Sequence, residues 1–132
     1  MDQSEHPTPT VLLVKPFMAE DSEISQLLED EGYRVTQVLD EDEAIETARA
    51  VPPGLILMDV SRPSRDGLLA ARRICRRAKL RDVPIVIVDR ADFHGHVNCI
   101  GNNEYVAHLN DLDRLEDLLC HLLSRGRAAG TQ

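Results

Sequence analysis

Lys15, Asp59, Asp89 and His108 each stand at or near the end of a short apolar run, respectively Thr10–Val14, Leu55–Met58, Ile85–Val88 and Tyr105–Leu109. Carboxylates gathered beyond adjacent strands favour a positive charge between them. Lys15 is the obvious source of that charge. The expectation is an ammonium paired with Asp59, Asp89 or both. Other chemistry-bearing groups are weaker. His94, His96 and Cys99 form an H-x-H-x-x-C cluster in a loop-like segment, a spacing that matches no standard metal site. Arg72, Arg73, Arg76 and Arg77 share one face of a helix, the usual mark of a solvated face pairing with nearby acids. No Gly-rich phosphate loop follows the first apolar run, where Lys15-Pro16-Phe17-Met18 stands instead. No Ser-His-Asp or Cys-His arrangement is suggested, so the chain does not read as an enzyme.

These residues act together only if the chain carries them to one edge. Continuous apolar runs such as Leu55–Met58 read as strands buried on both faces. Between them lie helical patterns. Glu20–Asp30 sets Ile24, Leu27 and Leu28 at helical spacing and closes at Glu31-Gly32. Tyr33–Leu39 is rich in β-formers, and Asp40 caps a helix from Glu43 to Arg49 that Pro52-Pro53 ends. Leu68–Leu80 forms the third helix, with Leu69, Ala71 and Ile74 as inner positions. Asn110 caps the last, with Leu112, Leu115, Leu118, Leu119 and Leu122 as its stripe. Arg90–Asn103 holds Gly95, Asn98, Gly101, Asn102 and Asn103, so a fourth helix there is short or distorted. Strand and helix thus alternate through five units. That predicts a three-layer, doubly wound α/β sandwich with a parallel sheet, whose sites lie beyond the carboxyl ends of the strands. The domain is read as residues 10–125, with polar tails at 1–9 and 126–132.

With 132 residues, 42% hydrophobic and 29% charged, the chain is sized for one folded domain. A net charge of −8 argues against nucleic acid as a partner, and no apolar run is long enough to cross a bilayer. Met1–Thr10 lacks a signal-peptide pattern, so the expected location is the cytoplasm. Cys75, Cys99 and Cys120 read as reduced thiols, two of them buried on helices.

The stretch Leu55-Ile-Leu-Met-Asp59-Val-Ser-Arg-Pro63-Ser-Arg-Asp66-Gly67 resembles the third strand and following loop of response-regulator receiver (CheY-like) domains. In that family the strand-ending Asp accepts phosphate, followed by a Pro and then Asp-Gly at the spacing of Pro63, Asp66 and Gly67. The likeness extends from about Val11 to about Leu123. It implies the flavodoxin-like strand order 2-1-3-4-5, and it places Tyr105 at the family's aromatic switch position. The rest of the pocket departs from the family. Lys15 and Pro16 replace the acidic pair that holds magnesium, Asp89 replaces a Thr or Ser, and His108-Leu109 replaces Lys-Pro.

Those departures have a chemical meaning. Phosphoryl transfer relies on positioning and on cations that neutralise the transferring group, and magnesium needs hard oxygen ligands. Lys15 would repel the ion, and Asp89 puts negative charge where a hydroxyl should receive phosphate. The resemblance therefore implies an atypical receiver, a pseudo-receiver whose phosphoacceptor position Asp59 is inactive. Magnesium binding is expected to be weak or absent, with no other cofactor. The expected role is a non-catalytic module in bacterial signal transduction, monomeric or weakly dimeric. It would bind a protein partner, a histidine kinase or a downstream signalling protein, through the region of about Asp92 to Leu123. The rival reading is a conventional receiver phosphorylated on Asp59 by a histidine kinase.

Overall fold

The computed structural model describes residues 9–15, 23–60, 65–89, 98–101, 103–108 and 112–130, with side chains described in those ranges except at 23, 60, 65–66, 89, 98–101, 108, 112 and 124–130. The elements run β1 (Thr10–Val14), α1 (Glu23–Asp30), β2 (Arg34–Val38), α2 (Glu41–Ala50), β3 (Leu55–Val60), α3 (Arg65–Arg77), β4 (Ile85–Asp89), β5 (Asn98–Gly101), β6 (Glu104–His108) and α4 (Leu112–Gly130).

Successive strand residues point to opposite faces, and the apolar runs divide accordingly. Val11, Leu13, Leu55, Leu57, Val86, Val88 and Ala107 pack on one side against Ile24 and Leu28 of α1 and Leu115, Leu119, Leu122 and Leu123 of α4. Leu12, Val14, Val38, Ile56, Met58, Ile85 and Ile87 pack on the other against Ala44, Ile45 and Ala48 of α2 and Ala71 and Ile74 of α3. Both faces of the sheet are covered, which is why its strands can be apolar without alternation. The sheet order is β2-β1-β3-β4-β6-β5. The five strands from β2 to β6 in that order are parallel, the architecture expected from the sequence.

Local chemistry sets the element ends. The Asp40 carboxylate accepts from the Glu43 N–H at 2.8 Å, and Glu43 Oε1 accepts from the Leu39 N–H at 3.0 Å, so two orphan donors at the start of α2 are satisfied. Gly32, at φ 86, closes α1 while the Tyr33 N–H returns to the Leu28 carbonyl at 3.0 Å. The same device ends α3 at Lys79, φ 58, with the Leu80 N–H returning to the Cys75 carbonyl at 2.9 Å.

Several expectations are corrected. The segment read as a distorted fourth helix ends in a strand: β5 lies antiparallel on β6, and residues 90–97 lie outside the described residues. Gly101 pairs with Glu104 across a two-residue connection in which Asn103 takes φ 68. Asparagine tolerates that left-handed conformation in hairpins. Leu69 is 41% exposed, because a residue two positions from Ala71 falls on the far side of the helix. α4 continues through Gly126 to Gly130, where the sequence reading places a tail. Cys75 is half-buried and Cys120 exposed, so the expected pair of buried thiols is not formed by these two, and Cys99's side chain lies outside the described residues. His121 is exposed as well. The H-x-H-x-x-C cluster falls outside the described residues except for the backbone of Cys99.

Candidate functional site

The strand order reverses around β1, which lies between β2 and β3, and the crevice at such a reversal is where doubly wound sheets hold their sites. The last β1–β3 pair is Val14 with Met58. One step further, Lys15 stands beside Asp59, and its N–H extends the ladder by donating to the Val38 carbonyl at 2.9 Å. Across the next strands the row continues, Val60 opposite Asp89 and Asp89 opposite His108. The backbone therefore carries all four sequence-singled positions to one edge. The side chains of Asp89 and His108 lie outside the described residues. Pro16 and Pro63 do so entirely, and Asp66 is described only as part of the α3 backbone, while Gly67 beside it is buried.

Lys15 and Asp59 are the two buried charged residues among those described, 1% and 0% exposed. Lys15 Nζ finds no hydrogen-bond partner among the described residues. No hydrogen bond joins Lys15 to Asp59, the other expected partner, Asp89, has its side chain outside the described residues, and Asp59 is not without an interaction of its own. A buried ammonium with no acceptor forfeits its hydration without a replacement, at a cost of several kcal/mol. Neighbouring register fixes the adjacency of the two residues, but a bond also requires the flexible side chain to reach the carboxylate, which spacing does not encode. Tyr105, opposite Val86 in the sheet, is half-buried against the α1–α4 side of the core.

Away from this edge, two arginine clamps hold α3. Arg72 Nε and Nη2 donate to both carboxylate oxygens of Glu104 at 2.8 and 2.7 Å. Arg73 does the same to Glu41 at 2.7 and 2.8 Å. Hydrogen bonds from these guanidinium groups hold the carboxyls of Glu104 and Glu41 below the ordinary glutamate range. Burial pushes the Cys75 thiol up, with the charge of Glu104 adding to it. On the opposite face, the hydrogen bond that a protonated Glu116 donates to Glu31 raises Glu116, helped by the charges of Glu31, Asp113 and Asp117. Neither glutamate of the clamps was singled out by sequence. Each is 32 residues from its arginine, beyond the reach of helical spacing rules.

Comparison with known proteins tests the fold. A profile of the response regulator receiver domain family matches residues 11–117. The chain belongs to that family. Among this receiver's relatives is the transcriptional regulatory protein PdtaR of Mycobacterium tuberculosis, 39% identical over 67 residues, which are 50% of this chain and 31% of that protein. The chain therefore spans about a third of the length of that relative. Protein PilH of Pseudomonas aeruginosa is 27% identical over 82 residues, 62% of this receiver and 68% of PilH. Among solved structures, the receiver domain of the sensor histidine kinase PA1611 from Pseudomonas aeruginosa, with magnesium coordinated in its active-site cleft, is 30% identical at TM-score 0.67, covering 89% of this chain and 99% of that one. A response regulator from Chloroflexus aurantiacus shares the fold at TM-score 0.67 and 18% identity, covering 89% and 99%. The receiver places this chain in bacterial two-component signalling. No helix among the described residues is long and apolar enough to cross a membrane.

Proposed function

We propose that this receiver is an atypical one that works as a protein–protein interaction module without magnesium and without phosphorylation of Asp59. The observation that carries the reading is the buried Lys15, whose Nζ has no hydrogen-bond partner among the described residues, where the family's pockets supply acids. A divalent ion is held by converging oxygens, and a buried ammonium beside Asp59 contributes repulsion instead. The residues present do not fit magnesium. Asp89, Pro16 and His108 depart from the family in the same direction, each removing a group that would receive phosphate or metal. In this reading Asp59 is an inherited buried carboxylate and Tyr105 a half-buried aromatic that reports no pocket state. The partner is a signalling protein, a histidine kinase or a downstream component. It docks on the region of about Asp92 to Leu123, whose described part is β5, β6 and the first turns of α4. The location is the cytoplasm.

A second reading keeps Asp59 as a working phosphoacceptor. It is favoured by the full burial of Asp59 at the end of β3 and by the buried Gly67 after the loop. The likeness to a magnesium-holding receiver also favours it. Incubation with acetyl phosphate and magnesium, read by intact mass with Asp59→Asn as control, separates the two. The expected result is no phosphoryl adduct and no magnesium binding by titration. An adduct that disappears in Asp59→Asn overturns the proposal in favour of the conventional receiver.

A further inference from the structure

The end of the molecule opposite the Asp59 edge carries a second feature. A groove of about 350 Å³ opens between α3 and the starts of β4 and β6. Its apolar lining is Leu80, Val83 and Ile85, with the half-buried Cys75 beside them. The Arg72–Glu104 clamp forms one polar wall. That clamp neutralises Arg72, but it leaves a run of cations alongside. Arg76, Arg77, Lys79 and Arg81 are all exposed, and among the described residues none of their side chains is held by an ion pair. Arg76 itself lines the groove. The backbone around it is also set in a particular way. Lys79 (58), Asp82 (57) and Asn103 (68) are the non-glycine residues with positive φ among those described. Asp82 and Asn103 line the groove, and Lys79 adjoins Leu80 of its lining.

We infer that this groove, at the base of α3, docks an acidic segment of a partner protein, apolar side chains entering against Leu80 and Val83 while carboxylates meet Arg76, Lys79 and Arg81. The charge argument is local complementarity. Arg77 acts on Glu41 of α2, but Arg76, Lys79 and Arg81 are three exposed cations beside one exposed carboxylate, Asp82, on a chain whose net charge is −8, so the patch attracts an anion that the rest of the surface repels. The apolar lining selects a peptide over a phosphate backbone, which offers charge and no aliphatic side chain. Two copies of a chain at −8 repel each other at long range, which disfavours a second copy as the occupant. The site goes beyond the signalling role proposed above and does not depend on Asp59, and it shares with the region of about Asp92 to Leu123 only Asn103 and Glu104 at the start of β6.

The test uses the isotope-labelled full chain and a short peptide alternating glutamate and leucine. Amide shifts on titration are expected to gather at Arg76, Leu80, Val83 and Asn103 and to weaken as salt rises. Arg76→Glu combined with Lys79→Glu is expected to weaken binding by about tenfold or more, as loss of charge complementarity does. Arg81→Glu alone serves as a second variant, and thermal melts establish that each is folded. A peptide alternating lysine and leucine should not bind. Shifts that are absent, lie elsewhere or survive the charge reversals overturn the inference. Preferential binding of a duplex DNA fragment, lost in the same variants, overturns it in favour of nucleic acid. Concentration-dependent sedimentation lost in those variants overturns it in favour of a second copy.

Discussion

At the scale of single residues the molecule is governed by a lysine that stability alone would not choose. Lys15 is 1% exposed and its Nζ lacks an acceptor among the described residues. Methionine has a similar reach and volume and no charge to desolvate. Replacing a poorly satisfied buried charge by a well-packed apolar residue is neutral to stabilising, whereas removing its neighbouring opposite charge is not. Lys15→Met is therefore expected to raise unfolding free energy by about 1–3 kcal/mol, measured by urea denaturation. A loss of stability would mean that the ammonium is satisfied by a group outside the described residues. Lys15→Asp tests the same position from the other side. It places a second carboxylate beside Asp59, and magnesium titration should then give binding stronger than the parent's. The sequence made the Lys15–Asp59 adjacency legible because both end apolar strands in one parallel sheet. The missing bond was not legible, because strand register fixes where a side chain starts and leaves open where its last atom lies.

Helices and strands show where backbone chemistry, rather than burial, decides. Lys79 occupies the left-handed position after α3, φ 58, with the Lys79 N–H on the Arg76 carbonyl and the Leu80 N–H on the Cys75 carbonyl. A side chain there carries a Cβ penalty that glycine escapes, partly offset by the greater freedom of glycine when unfolded. Lys79→Gly is expected to stabilise by about 0.5–1 kcal/mol, and Gly32→Ala, at φ 86, to destabilise by about 1 kcal/mol, both read in denaturant melts. If both substitutions move stability in the same direction, this account of the two helix ends fails. The central strands were readable because runs such as Ile85–Val88 are apolar throughout, and α2 because Asp40 caps it as its residue type predicts. The β5–β6 hairpin was harder. Gly101, Asn102 and Asn103 were weighed as helix breakers, when the same residues between Cys99-Ile100 and Tyr105-Val106 also satisfy a tight turn between strands. Poor helix propensity rules out one structure without choosing the other. The clamps on Glu41 and Glu104 escaped notice because pairing over 32 residues is a property of the packed fold.

For the whole molecule, charge sets how stability depends on pH. Glu41 and Glu104 are lowered from the ordinary 4.5 by hydrogen bonds from Arg73 and Arg72. Below 4.5 the unfolded chain takes up these protons first, so the stability they contribute is present above that value and lost as pH falls through their lower folded values. Both clamps are exposed enough for salt to screen them, and the effect should shrink at high ionic strength. Glu116 works in the opposite sense. The hydrogen bond it donates to Glu31 when protonated, reinforced by the charges of Glu31, Asp113 and Asp117, raises it above 4.5, so the folded chain binds this proton more readily than the unfolded one. Stability then rises as pH falls from neutrality through the raised folded value, and the self-repulsion of a chain at −8 relaxes in the same direction. Stability should therefore peak on the acid side of neutrality and fall below 4.5. Glu116→Gln isolates the second effect. Its amide keeps a donor for Glu31 without the charge, so the variant should melt higher than the parent at neutral pH. The gap should close as pH falls and the parent's Glu116 takes up its proton. A gain that is constant across pH would assign the effect to helix propensity in α4 and remove the Glu31–Glu116 contact as its cause.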